Sequence, residues 1–204
     1  MARFPGSNES GFGPIFVTVG GGRTTHQGAI WTLTSANGTS FNYTLLGSGN
    51  SNYNDPTVAY AINRDGLAVG QGSSGGQGYV WVPSTVNGTS GTQYSLGLLS
   101  TGDTSIAYAI NNPALSGGTY TATIVGTDTP SSGTSKAVEW TVNYSISGNS
   151  ITVNSVSSSP TDLNTLGTFT GWTLEQANGV NASGYIVGTG TYSGTSGTQG
   201  FLFY

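Results

Sequence analysis

Ala59-Tyr60-Ala61-Ile62-Asn63-Arg64-Asp65-Gly66-Leu67-Ala68-Val69-Gly70 recurs, with substitutions, as Ala177-Asn178-Gly179-Val180-Asn181-Ala182-Ser183-Gly184-Tyr185-Ile186-Val187-Gly188. A third copy, stretched by an insertion, runs from Ala107-Tyr108-Ala109-Ile110-Asn111 to Ile124-Val125-Gly126. Each copy leads to a short apolar segment ending in a large aromatic: Gly78-Tyr79-Val80-Trp81, Ala137-Val138-Glu139-Trp140 and Gly200-Phe201-Leu202-Phe203. A truncated copy opens the chain, with Val19-Gly20 followed by Gln27-Gly28-Ala29-Ile30-Trp31. Spacings of 50, 59 and 63 residues separate Trp31, Trp81, Trp140 and Phe203, so the units differ by loop insertions. A unit of this size cannot bury its apolar face alone and needs its neighbours, which makes the repeat the first constraint on the fold.

The repeated positions have physical tasks. Gly66 and Gly184 follow the repeated Asn where a tight turn needs a positive φ. Asn63, Asn111 and Asn181 end a strand, and an Asn side chain can accept from the backbone two residues on, closing the turn. Small Ala59, Ala107 and Ala177 suit a strand crowded by others. Val69-Gly70 and its relatives set a β-branched residue beside a glycine that admits a neighbouring backbone. The terminal aromatics fill the wedge between adjacent sheets.

Turn residues between short apolar segments read as strands throughout, and no window carries a helical apolar stripe. Residues 1–14 read as an irregular lead-in with Pro5 and Pro14. Ile15 to Val19, Gln27 to Leu33 and Phe41 to Leu46 read as strands. Leu-rich stretches (Leu45-Leu46, Leu96 to Leu99, Leu163 to Leu166) read as further strands, each preceding a repeat copy. Ile151 to Val156 alternates strictly, as an added strand or hairpin does. The expected fold is all-β. It is a single repeat domain over 15–204, with copies at about 15–33, 45–83, 96–142 and 163–204. The expected arrangement is a small array of four-stranded antiparallel blades, propeller-like, with four or three and a half blades. The half blade at the start leaves edges that residues 1–14, the Ile151 to Val156 segment or a neighbouring copy would cover.

Leu96-Gly97-Leu98-Leu99 with Ala107 to Asn111, and Ala59 to Gly70 with Gly78 to Trp81, resemble the HAF family of extracellular repeats. The resemblance covers most of residues 15–204. It implies a β-propeller-like arrangement and an extracellular setting, and it implies no catalytic residues. The family's His before its Ala-Phe step is missing from every copy here.

Composition narrows the function. Charged residues are 6% of the 204, four basic against eight acidic, and Arg3, Arg23, Arg64 and Lys136 are scattered. Nucleic-acid binding needs clustered Lys and Arg, so it is not expected. No run of about 18 apolar residues exists, so no membrane insertion is expected. Cysteine is absent, which removes disulfides and thiolate chemistry. Met1-Ala2-Arg3-Phe4-Pro5-Gly6 has no apolar stretch behind it, so no secretory leader is read there.

No catalytic or metal constellation stands out, and no cofactor is expected. His26 is alone in the loop Arg23-Thr24-Thr25-His26, without a readable triad. Asp65, Asp103 and Asp128 fall in loops; a glycosidase would need two such carboxylates facing one sugar, but no spacing announces a pair, and Asp65 and Asp128 suit turns better. Asn37, Asn87 and Asn143 sit in Asn-x-Ser/Thr sequons just after the aromatic strands, on loops read as equivalent, and are the candidate glycosylation sites. Tyr43, Tyr53, Tyr94, Tyr120, Tyr144 and Tyr192 lie in or beside polar loops and are the candidate recognition residues.

The sequence therefore points to a non-enzymatic, extracellular or cell-surface β-repeat module with a structural, assembly or ligand-binding role. Its expected partners are other copies of itself or a surface glycan or protein. A virion decoration or fibre protein is the alternative, and a carbohydrate-active enzyme the third.

Overall fold

A computed structural model describes residues 10–19, 23–33, 41–46, 58–72 and 76–204. Among the described residues sixteen strands and one short 3₁₀ turn follow one another. The first sheet is β1 (Ser10–Val19), β2 (Arg23–Leu33) and β3 (Phe41–Leu45), in that order. The second is β4 (Val58–Ile62), β5 (Ala68–Gln71), β6 (Gly78–Pro83) and β7 (Gly91–Ser95). The third contains β8 (Thr104–Ile110), β9 (Ala114–Ser116), β10 (Thr119–Thr129), β11 (Lys136–Ser147), β12 (Ser150–Val156) and β13 (Thr161–Asp162). The fourth is β14 (Trp172–Val180), β15 (Ile186–Tyr192) and β16 (Thr198–Phe203). Among the described residues all pairings are antiparallel, and no sheet closes on itself.

The chain is all-β, as the repeat implies, and the register shows why the repeated residues recur. Ala59 pairs Gly70, Ala107 pairs Gly126 and Ala177 pairs Gly188, each beside a bulge. The unpaired residue of each bulge is Tyr60, Tyr108 or Asn178. A Cβ on Gly70, Gly126 or Gly188 would fall 1.7, 1.9 or 2.1 Å from the carbonyl oxygen of Val58, Ile106 or Gln176. Only glycine lets the bulged strand come that close. The turns behave alike too: Asn63 Oδ1 accepts from the amides of Asp65 and Leu67, and Asn181 Oδ1 from those of Ser183 and Tyr185. Gly66 and Gly184 close these turns at φ +92 and +85. In the stretched copy, Asn111 Oδ1 accepts from Thr123 instead, across the insertion.

The sheets lie in series. β4 packs on β1 and β2, β8 on β4, β5 and β6, and β14 on β8, β10 and β11. Each sheet thus lays its first strand across the face of the one before. Three apolar clusters fill the gaps. Ile30, Leu46, Ala68, Tyr79 and Trp81 lie between the first and second sheets. A larger group around Val69, Val80, Ile124, Trp140 and Tyr144 lies between the second and third. Val125, Ala137, Leu163, Leu174 and Ile186 lie between the third and fourth. Trp81, Trp140 and Phe203 point back to the preceding sheet in all three, the wedge role expected of the aromatics.

Several boundaries differ from the sequence reading. Residues 10–14 belong to β1, so the lead-in is shorter than 1–14; residues 1–9 lie outside the described residues. Arg23 to His26 is not a loop but the start of β2, with His26 opposite Phe16. Gly13, not Gly20, is the counterpart of Gly70, because it pairs Ala29 two residues before Trp31. Leu45 closes β3, but Leu96 to Leu99 and Leu163 to Leu166 are not strands. Leu46, Leu96 and Leu163 are each buried at a corner between sheets, and a sheet therefore ends there rather than beginning. The Gly97 carbonyl accepts from Trp140 Nε1 (2.9 Å), and Leu163–Thr165 forms the 3₁₀ turn, with Asp162 accepting from Asn164 N. Ile151 to Val156 is a strand, but it pairs β11 and does not complete the first sheet. With the Ala114–Ser116 strand it extends the third sheet to six strands, through the two insertions.

Candidate functional site

The sequence candidates scatter on the fold. Of the tyrosines, Tyr43 and Tyr192 are exposed, and Tyr192 packs edge-tilted on Trp172. Tyr53 lies outside the described residues. Tyr94 and Tyr120 are half-buried against the central cluster, and Tyr144 is fully buried within it. Alternation explains the correction: Trp140, Val142 and Tyr144 occupy one face of β11, which runs past its aromatic landmark into the insertion. Tyr144 Oη donates to Asp65 Oδ2 (2.7 Å), and burial, reinforced by that carboxylate, pushes the phenol well above its ordinary pKa. Asp65 also faces Arg64 Nε at 3.6 Å. It is a structural carboxylate, locked into a turn.

The three sequons are not on equivalent loops. Asn37 lies outside the described residues. Asn87 is an exposed turn residue in the left-handed region (φ 56), its amide donating to the Asp65 carbonyl. Asn143 sits inside β11, where its Nδ2 donates to Ser155 Oγ and its Oδ1 accepts from Thr121.

Asp103 and Asp128 do converge. Asp128 is sealed from solvent, its Oδ2 accepting from Leu99 N (3.1 Å), and its Oδ1 has no partner among the described residues. Burial pushes its carboxyl up to about 6; the Leu99 amide and Lys136 work against the rise, and the adjoining Asp103 carboxyl adds to it. The two carboxyls are near enough to influence one another. The pair lies beneath the corner between the second and third sheets, where residues 95–102 line an open cleft of about 670 Å³ with Gln77 and Ser158. Chemically the arrangement suits a shared proton. Lys136, the nearest cation, is already paired with Asp162 at 3.2 Å. Among the described residues no three His, Cys, Asp or Glu side chains gather as metal ligands, and no helix is long and apolar enough to cross a membrane.

Two surface features escape the sequence reading. At the bulges, Tyr60 and Tyr108 protrude from neighbouring sheets with ring centroids 5.4 Å apart and Tyr60 exposed. Their recurrence in Ala-Tyr-Ala was the available signal. The second is the outward face of the fourth sheet. Val187 and Leu202 are cross-strand partners there, and Tyr185 stacks on Tyr204 at its edge (5.7 Å), all four exposed. No signal in one sequence marks that face as open, because its residues match those that neighbouring units bury. Comparison with protein-family models, with curated proteins and with solved structures finds no match to this chain.

Proposed function

We propose that the chain is a non-enzymatic β-repeat module whose role is assembly, in a propeller-like arrangement of blades. One observation carries the reading: three like interfaces join four sheets in series, and the described residues lay nothing across the last face. Each unit of a repeat array buries its apolar face on a neighbour, and the fourth sheet's forward face carries exposed Val187 and Leu202 that no described residue covers. The side-by-side first strands β4, β8 and β14 and the back-pointing aromatics support the propeller-like description. The HAF resemblance supports an extracellular or cell-surface setting, with a virion surface as the alternative. The buried carboxylates support a structural use: Asp65 binds Tyr144, and Asp128 holds the corner loop at Leu99.

Size exclusion coupled to light scattering, followed by negative-stain imaging, tests the reading. Discrete oligomers or filaments are expected. A species of 20.7 kDa at every concentration would refute the assembly role.

A further inference from the structure

The strand register aligns the four sheets residue by residue, which makes their forward faces comparable. Ile30, Val80, Glu139 and Leu202 occupy one position, opposite Phe12, Val69, Val125 and Val187 respectively. In the first three sheets Ile30, Val69, Val80 and Val125 pack in the clusters shared with the next sheet. Ile30 is 4% exposed, Val80, Val69 and Val125 are 0%, and burial raises the carboxyl pKa of Glu139. In the fourth sheet Val187 is 49% and Leu202 61% exposed. Tyr185, the counterpart of the fully buried Leu67, is 44% exposed. The aliphatic members Ile30, Val69, Val80 and Val125 are thus dry in the first three sheets, while Val187 and Leu202 are wet in the last.

What covers this row inside the chain is always one thing, the backward face of the next sheet with its aromatic wedge. For the second, third and fourth sheets that wedge is Trp81, Trp140 and Phe203. The register gives the first sheet a residue at the same position, Trp31, opposite Gly11. Among the described residues, then, no sheet lies against the forward face of the fourth sheet and none against the backward face of the first. A forward face and a backward face are different surfaces, so joining them between copies is head-to-tail, giving a ring where the rotation closes and a filament where it does not.

We propose that the outward face of β15 and β16, centred on Val187 and Leu202 and flanked by Tyr185 and Tyr204, docks the first sheet of a second copy of this chain. The docking continues the series of three established inter-sheet interfaces by a fourth of the same kind. The inference rests on the assembly reading and adds the surface and its mate.

The experiment uses the full chain. Val187→Asp and Leu202→Asp, singly and together, place charge on exposed positions that no other sheet covers among the described residues, so circular dichroism should stay native. The double variant should elute as the 20.7 kDa monomer where the wild type is larger. Leu115→Asp, at an equally exposed leucine on β9, should leave the oligomer intact. Because the chain has no cysteine, mixing a Leu202→Cys copy with a tagged Trp31→Cys copy should give a disulfide-linked heterodimer under mild oxidation. Wild-type oligomers that survive both aspartates would overturn the inference while leaving the assembly reading standing. A wild type monomeric at every concentration would overturn both, and a Leu202→Cys/Trp31→Cys double variant that links only within one chain would replace the second copy by ring closure.

Discussion

Asn63 and Asn181 make the same two hydrogen bonds in the same turn, yet their surroundings differ. Asn63 is buried and Asn181 exposed. Removing the Asn63 side chain leaves the amides of Asp65 and Leu67 without that acceptor, away from water. An unsatisfied buried donor costs about 1–3 kcal/mol, whereas water replaces an exposed acceptor cheaply. Asn63→Ala should therefore destabilise by about 2–3 kcal/mol and Asn181→Ala by about 0.5–1 kcal/mol in denaturant titration; equal losses would show that burial is irrelevant to the turn. Asp128 gives a second test. Its folded pKa, about 6, lies above the ordinary 3.8, so the native state holds more protons than the unfolded one between those values. Stability from this group is fully present below about pH 4 and is lost as pH rises through about 6. Asp128→Asn keeps an acceptor for Leu99 and offers Asp103 a donor in place of a second carboxylate. It should flatten the pH dependence across that window and raise stability at pH 7 by on the order of 1 kcal/mol, roughly 2–4 °C in Tm. A variant melting lower than wild type at pH 7, with the slope retained, would mean the pair is not strained by charge.

At the scale of the element, the repeat was readable because it is written in residues with narrow backbone duties. The Asn turns, the positive-φ Gly66 and Gly184, and the close-approach Gly70, Gly126 and Gly188 all stand where spacing places them. Errors arose where one residue type serves two ends. Leucine at 46, 96 and 163 fits a strand by propensity, but burial at a corner needs only a single large apolar side chain. The truncated first copy misled because Val19-Gly20 copies the motif's letters while Gly13 holds its register, and pairing partners are not visible in one strand's composition. Tyr144 was misplaced for a related reason: a polar neighbourhood in sequence becomes two faces once the strand alternates, and Tyr144 takes the dry one. The Asp103–Asp128 contact was legible only as a list of carboxylates, since β10 and the corner loop that unite them lie far apart in the chain.

At the scale of the whole molecule, the series of sheets sets unequal protection. The second and third sheets are covered on both faces, and the central cluster lies between them. The fourth is covered on one face, has three strands, and leaves β16 at its edge. Local opening free energy follows buried apolar contact, so the β15–β16 pair should open most easily and the β10–β11 pair least. Docking of a second copy changes only the first of these, because anything that binds the folded form stabilises what it covers in proportion to its concentration. Hydrogen exchange in dilute solution should therefore be fastest at residues 186–203 and slowest at β10 and β11. Raising the protein concentration tenfold should slow exchange at 186–203 and in the first sheet, leave β10 and β11 unchanged and lift Tm, and Val187→Asp should abolish these responses. Exchange at 186–203 that is as slow as in β10, and indifferent to concentration, would mean that the fourth sheet is already capped in the single chain.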